Sequence, residues 1–301
     1  MRPFFFELGF PRVSFPRSSA PETQRLRCGR FDLELSRPLI MGVVNVTPDS
    51  FSDGGRFLQP SAAAAHARRL VEEGADLVDI GAESSRPGGE PVSEEEELRR
   101  LLPVLGELKN LGVPISVDTI KPHVMRAAIA EGAAMVNDIN ALRSPGALEA
   151  VAASNAGVCL MHMQGEPRTM QQAPRYGDVV SEVKAFLVER VAAAETAGIG
   201  RTRIVIDPGF GFGKTVEHNF ELLRHLERFA ETGIPVLAGW SRKSTLGAIT
   251  GRPAGERLAA SVAAALLAVQ HGARIVRVHD VAATRDALAV LAAMNGGGGS
   301  P

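Results

Sequence analysis

The chain has 301 residues, 45% hydrophobic and 22% charged, with 33 Lys and Arg set against 34 Asp and Glu. That balance excludes a broad electrostatic pull toward nucleic acid or an anionic membrane surface, so any anion site must be local. No apolar run approaches the roughly 20 residues that a membrane helix needs, and the composition is ordinary for a soluble globular protein.

Residues 1–24 carry Arg, Pro and Ser without periodicity and read as a poorly ordered extension. The Phe4-Phe5-Phe6 run is interrupted by Glu7 and Gly9 before it can form a signal-peptide core. Residues 27–35 alternate apolar and polar side chains, which predicts a small β-hairpin at the bottom of the fold. Short apolar runs then alternate with longer amphipathic ones. The short runs are 39–46, 77–82, 115–119, 135–139, 157–163, 203–208, 234–239 and 275–279. Ser93, with Glu96 three residues on, predicts a capping box at one intervening helix. Gly74, Gly112, Gly132, Gly198, Gly233 and Gly272 stand where helices end before the next strand. Eight strand–helix units in series predict an α/β fold with a parallel sheet closed as a (β/α)8 TIM barrel, one domain over 25–294. An open doubly wound sheet is the competing arrangement. Residues 295–301 have the composition of a flexible tail. Cys28 and Cys159 sit among apolar neighbours without CxxC spacing. They read as buried thiols in a reducing compartment, and the expected location is cytoplasmic.

A strand buried on both faces is expected to be uninterrupted Val, Ile and Leu. Here the runs end in or just before polar residues: Asn45, Asp79, Asp118, Asn137, His162, Asp207, Arg242 or Lys243, Arg277 and His279. One such residue is readily a paired structural accident. Polar ends on so many strands converge on the C-terminal mouth, where barrel enzymes hold their sites. Asp118, Asn137 and Asp207 supply acceptors suited to a flat heterocycle rich in N–H groups. Lys243, Arg277 and His279 supply cations suited to phosphate. Phe51, Phe57, Phe210 and Phe212 fall in loops expected at the same end. Pro208-Gly-Phe-Gly-Phe-Gly-Lys-Thr215 has one residue too few between Gly209 and the Gly-Lys pair for a Walker A loop. Ser241-Arg-Lys-Ser244 reads as an anion-binding turn entering a helix. His66, His123, His218, His225 and His271 lie on expected helices or their ends and lack zinc-ligand spacing.

The ordered motifs resemble those of the dihydropteroate synthase family. They are Asn45-Val-Thr-Pro-Asp-Ser-Phe-Ser-Asp-Gly-Gly55, Gly81-Ala-Glu-Ser-Ser-Arg-Pro-Gly88, Ile115-Ser-Val-Asp-Thr119 and Val136-Asn-Asp-Ile139, then Leu160-Met-His-Met-Gln-Gly165, Asp207-Pro-Gly-Phe-Gly-Phe-Gly-Lys214, Ser241-Arg-Lys-Ser244 and Ile275-Val-Arg-Val-His-Asp280. The match runs in order from about residue 27 to about residue 292. The resemblance implies condensation of a dihydropterin diphosphate with 4-aminobenzoate, giving dihydropteroate in folate biosynthesis, with Mg²⁺ as the cofactor. It implies Asp118, Lys243, Arg277 and Asp53 as the catalytic set. Asp118, Asn137, Asp207, Lys243, Met161 and Phe212 would bind the pterin, with Asp79 in support. Asn45, Arg277 and His279 would hold the diphosphate, Asn45 also meeting Mg²⁺. Phe51, Ser85, Arg86, Pro87, Phe212 and Ser244 would line the aminobenzoate pocket, where sulfonamides compete.

The sequence departs from the family pattern once. Ser84-Ser-Arg-Pro87 stands where the family commonly has Ser-Thr-Arg-Pro, so Ser85 keeps the hydroxyl and loses a methyl. Two other readings compete: a pterin-dependent methyltransferase and a non-catalytic pterin-binding paralogue. The first has no need of the cations at Arg277, His279 and 241–244, and retention of Asp53, Arg86 and Lys243 speaks against the second. The Ala-rich helix expected at Leu258–Gln270 predicts a homodimer.

Overall fold

A computed structural model describes residues 24–47, 60–83, 92–166 and 169–296. The expected N-terminal extension, the flexible tail beyond residue 296, and Phe51, Asp53, Phe57, Ser85, Arg86 and Pro87 lie outside the described residues.

The predicted hairpin forms first, from β1 (Arg25–Cys28) and β2 (Phe31–Glu34), paired antiparallel. The eight runs follow as β3 (Leu39–Asn45), β4 (Leu77–Gly81), β5 (Ile115–Asp118), β6 (Met135–Asp138), β7 (Gly157–Met161), β8 (Ile204–Asp207), β9 (Leu237–Ala238) and β10 (Ile275–Val278). All neighbours in this 8-stranded sheet are parallel, in the order β8-β7-β6-β5-β4-β3-β10-β9. A bridge between Ile206 and Val236 joins the two ends, with Ile206 N–H donating to Pro235 O at 3.0 Å. Run 234–239 shrinks to the two residues of β9 because Pro235 has no N–H to give to a ladder.

The crossovers are α1 (Pro60–Glu72), α2 (Glu94–Leu108), α3 (Pro122–Ala130), α4 (Ala147–Ala152), α5 (Val179–Thr196), α6 (Val216–Arg224), α7 (Glu227–Ala230), α8 (Ser244–Thr250), α9 (Leu258–Gln270) and α10 (Val281–Met294). The six glycines expected after helices all have left-handed φ, between 74° at Gly233 and 111° at Gly132. At α2, Ser93 Oγ accepts Glu96 N–H at 3.3 Å, but the reciprocal half of the box does not form. Glu96 turns instead to Arg99 and Arg100, where charge-assisted bonds of 2.6–2.7 Å outcompete a neutral N–H. The reciprocal box sits at α6: Thr215 Oγ1 accepts His218 N–H, and His218 Nδ1 accepts Thr215 N–H.

Successive strand side chains point to opposite faces, so each barrel strand has an axis-facing set and a helix-facing set. The helix-facing set is apolar and buried. Ile40, Val78, Val117 and Val276 pack on Leu70, Leu101 and Leu105 on one side of the barrel. Val136, Leu160, Ile204 and Ile206 pack on Val183, Leu187 and Leu222 on the other. Facing the axis near the strand starts, Met41, Leu77, Met135, Cys159, Val205, Leu237 and Ile275 form a second buried cluster. The hairpin closes it from below with Leu26 and Cys28. Gly157 is needed at this seal, since a Cβ there would lie 3.0 Å from Cys28 Cβ and 3.2 Å from Arg27 O. Both cysteines are free and buried, and burial pushes the Cys28 thiol up to about 12. Among the described residues no helix is long and apolar enough to cross a membrane.

Candidate active site

One step further along the same axis-facing positions, the barrel changes character. Asp79 follows Leu77 in β4, Asp118 follows Ser116 in β5 and Asn137 follows Met135 in β6. Asp207 follows Val205 in β8 and Arg277 follows Ile275 in β10. Parallel register stacks them side by side: Asp118 lies opposite Gly81 on β4 and Asn137 on β6. Together with Ile139, Met161, Phe212, Gly239, Ser241, Lys243 and His279, the residues at 118, 137, 207 and 277 line one cleft.

Arg277 organises its floor. Its Nε donates to Asp79 Oδ2 at 2.6 Å and its Nη2 to Asp118 Oδ2 at 3.2 Å. Asn137 Nδ2 adds a third contact to Asp79 Oδ2 at 3.0 Å. Asp79 is fully buried, and its Oδ1 and the neighbouring Ser116 Oγ have no partner among the described residues. Desolvation raises the Asp118 carboxyl well above its ordinary range, Arg277 pulls it down, and Asp79 pushes it up again. Burial also raises Asp207, opposed by the Gly209 N–H that Asp207 Oδ1 accepts at 2.7 Å and by Lys243, Lys214 and Arg277.

The cleft's walls are loops that follow β8, β9 and β10. The Gly-Phe-Gly-Phe-Gly segment passes so close to the β7 exit that a Cβ at Gly209 would lie 1.9 Å from His162 O, and one at Gly213 2.4 Å from Gln164 O. Both glycines have left-handed φ, 71° and 62°. Phe212 is thereby presented to the cleft, and Lys243 Nζ stands 4.0 Å from its ring centroid. Phe210 turns the other way. It is buried in the outer core against Trp240, ring centroids 4.6 Å apart, with the left-handed Gly211 (φ 79°) turning the chain between the two phenylalanines. Its expected place at the mouth is corrected accordingly.

In the 241–244 turn, Ser241 Oγ accepts His279 N–H at 3.1 Å and stands 2.9 Å from His279 Nδ1. The turn divides its two cations. Lys243 faces the cleft, while Arg242, at φ 59°, makes a two-point pair with Asp280 at 2.6 and 3.2 Å. Arg242 is therefore a strut of the turn rather than a second anion ligand. Ser261 Oγ accepts its N–H, and Arg257 donates to the carbonyls of both residues. Ser244 is exposed at the first position of α8, and Asn45 ends β3 half-buried; neither lines the cleft.

Sequence reading missed Lys214, treated only as the end of a Walker-like pattern. Its side chain is buried beneath the Gly209–Gly213 turn beside His162. The available signal was a lysine placed in a run with no other polar side chain, which a buried turn would have to satisfy.

The sequence profile of the family described as "Pterin binding enzyme" matches residues 41–279. The dihydropteroate synthase of Neisseria meningitidis serogroup B is 54% identical over 275 residues, which is 89% of this chain and 96% of that protein. The chain belongs to the dihydropteroate synthase family. Solved structures of the family agree with the fold. The Xanthomonas albilineans dihydropteroate synthase with 4-aminobenzoic acid is 58% identical, with a TM-score of 0.86 over 91% of this chain and 99% of that one. The same enzyme in complex with 7,8-dihydropteroate is 56% identical, with a TM-score of 0.82 over 90% and 98%. A Yersinia pestis dihydropteroate synthase solved as a sulfonamide drug complex is 45% identical, with a TM-score of 0.86 over 90% and 99%. Dihydropteroate synthases are transferases, and this chain's cleft opens at the C-terminal end of the barrel strands, where such folds carry their chemistry.

Proposed function

We propose that the chain condenses (7,8-dihydropterin-6-yl)methyl diphosphate with 4-aminobenzoate, releasing 7,8-dihydropteroate and diphosphate. The observation that carries this reading is one cleft in which buried carboxylates, a guanidinium and an ammonium over an aromatic ring face each other. The carboxylate of Asp207 accepts from the amino-pyrimidine edge of the pterin, held in place by the Gly209 N–H. Asn137 and Lys243 meet the remaining polar edge, and Met161 packs on the ring face.

In the reaction the C–O bond to diphosphate breaks, and positive charge develops on the pterin's exocyclic carbon. Asp118 favours that charge, while Arg277 and His279 stabilise the departing anion. Two of the five guanidinium donors of Arg277 are committed to Asp79 and Asp118, which fixes the plane of the group before substrate arrives. The aryl amine then attacks, forming the C–N bond and losing a proton to solvent. An aryl amine is nucleophilic when neutral, so no strong base is required. Phe212 supplies one wall for the amine; Phe51, Ser85, Arg86 and Pro87 complete its pocket, with Ser244 next to Lys243 but outside the cleft that the described residues line, and Asp53 in the first loop. Sulfonamides bind there in competition.

Among the described residues no group of three His, Cys, Asp or Glu side chains gathers as a resident metal site. The amide oxygen of Asn45 suits Mg²⁺, which keeps several waters and takes its other ligands from phosphate oxygens. When bound, Mg²⁺ neutralises charge on the leaving diphosphate.

Five of the six exposed large apolar side chains among the described residues, Ile249, Leu258, Leu267, Val290 and Met294, lie on α8, α9 and α10, elements suited to meet a second copy of the chain; the sixth, Val188, is on α5. The proposed state is a homodimer, and a monomer mass in light scattering defeats it. The buried free thiols suit the cytoplasm.

Purified protein mixed with both substrates and Mg²⁺ is expected to yield dihydropteroate with stoichiometric diphosphate. Arg277→Ala should reduce the rate by at least about 100-fold. Folded protein giving no product at any Mg²⁺ concentration overturns the reading in favour of a non-catalytic paralogue.

A further inference from the structure

Lys214 is 3% exposed, and among the described residues no carboxylate reaches it as an ion-pair partner. Its Nζ instead faces four acceptors: Gly209 O and Phe212 O at 3.0 Å each, His162 Nδ1 at 3.0 Å and His162 O at 3.4 Å. An ammonium has three protons to give, and two of these acceptors are the carbonyls at either end of the turn that carries Phe212. Two further carbonyls of the turn are tied from outside, Gly211 O by Gln171 Nε2 at 2.5 Å and Gly213 O by the Tyr176 hydroxyl at 2.9 Å. Lys214 therefore gathers the inner side of a left-handed glycine turn onto the end of β7.

We infer that Lys214, backed by His162, is a positioning residue that sets the Phe212 wall of the cleft and so governs recognition of the aromatic amine substrate. The inference rests on the function proposed above. Asp207, the pterin's acceptor, stands on β8 and is held by the strand ladder; Phe212 stands on the turn and depends on the carbonyl ties. Loss of Lys214 donors is thus expected to fall mainly on the amine.

The pair also responds to pH. Burial lowers the Lys214 ammonium to about 7, with Lys243 adding to the effect and Asp207 opposing it. The His162 imidazole is pushed down to about 2 by burial, with Lys214 and Arg143 contributing, so it stays neutral. Tyr176 and Phe186 also face His162, and burial keeps the Tyr176 phenol protonated. As Lys214 loses its proton to solvent it keeps two N–H donors and gains a lone pair. His162 can then place its own proton on Nδ1 and donate to that lone pair, so Gly209 O and Phe212 O keep N–H partners but lose the charge assistance that makes an ammonium the stronger donor. Asp118 and Asp207, whose carboxyls burial raises, affect the opposite limb, since their ionised forms are the active ones.

The test is steady-state kinetics with dihydropterin diphosphate and 4-aminobenzoate for wild type, Lys214→Met and Lys214→Gln, each checked for folding by circular dichroism. Lys214→Met is expected to raise KM for 4-aminobenzoate about tenfold, with KM for the pterin within about threefold. Lys214→Gln, which keeps two N–H donors and never titrates, gives a smaller rise in the same direction. In wild type, 1/KM for 4-aminobenzoate falls across about pH 6 to 9, and both variants lose that fall. Unchanged amine KM in folded variants, parallel rises for both substrates, or an alkaline fall that survives either substitution overturns the inference. Should neither variant fold, a flat wild-type profile overturns it and a falling one supports it. Wild type that forms no dihydropteroate defeats the proposed function instead, a separate outcome.

Discussion

The lower and upper halves of the barrel interior come from the same strands and differ by two residues. Leu77 lies below Asp79, Met135 below Asn137, Val205 below Asp207 and Ile275 below Arg277. All face the axis, because strand side chains alternate with a period of two. The lower half is apolar and sealed by Leu26 and Cys28 of the hairpin. The upper half holds several carboxyls: desolvation raises Asp118 and Asp207, and Arg277 bridges Asp118 to Asp79. Stability alone would not select that arrangement. A barrel can afford a charged mouth when the layer beneath it is closed.

Asp118→Asn should break the upper half most visibly, lowering turnover about 100- to 1000-fold. The same substitution is expected to raise the melting temperature by about 2–4 °C for each kcal/mol of burial cost removed. The sign follows from linkage. The folded-state pKa of Asp118 lies above its unfolded value, so the native state binds more protons, and its ionisation subtracts stability as pH rises through the raised pKa. The gain in Asp118→Asn is therefore larger near about pH 8 than near about pH 5. Calorimetry showing lower stability at both pH values means that the Arg277 pair outweighs the burial cost.

Met135→Ala addresses the lower half. It should cost about 2–5 kcal/mol in denaturant unfolding through cavity formation, with kcat and both KM values retained by the folded protein. A matching loss of turnover in folded Met135→Ala would erase the division between the halves. The smallest effect is expected from Ser85→Thr, which restores one methyl worth about 0.8 kcal/mol, so affinity for aminobenzoate or a sulfonamide should change at most several-fold. Equal inhibition constants would show that the methyl touches nothing.

Much of the site was legible because strand-end chemistry is local. Asp118, Asn137, Asp207, Lys243, Arg277 and His279 were all singled out as polar interruptions, and all line the cleft. The directions of loop side chains were not legible. Phe210 and Phe212 are equivalent in the sequence, yet one packs on Trp240 and the other faces Lys243. Arg242 and Lys243 look like a pair of phosphate ligands until Asp280, 38 positions away, takes Arg242. Ser244 and Asn45 were placed at the site by resemblance, and neither lines the cleft.

The sequence by itself determined the repeat of strand and helix, the family, and the set of strands that end in polar groups. Those are properties of periodicity and of ordered motifs, which need no knowledge of distant neighbours. Only the tertiary structure decided which charges pair, where β9 ends, and that Lys214 holds the Phe212 turn. Each depends on groups far apart in the chain that meet only when the barrel closes: Arg277 with Asp79, Val236 with Ile206, and Lys214 with His162.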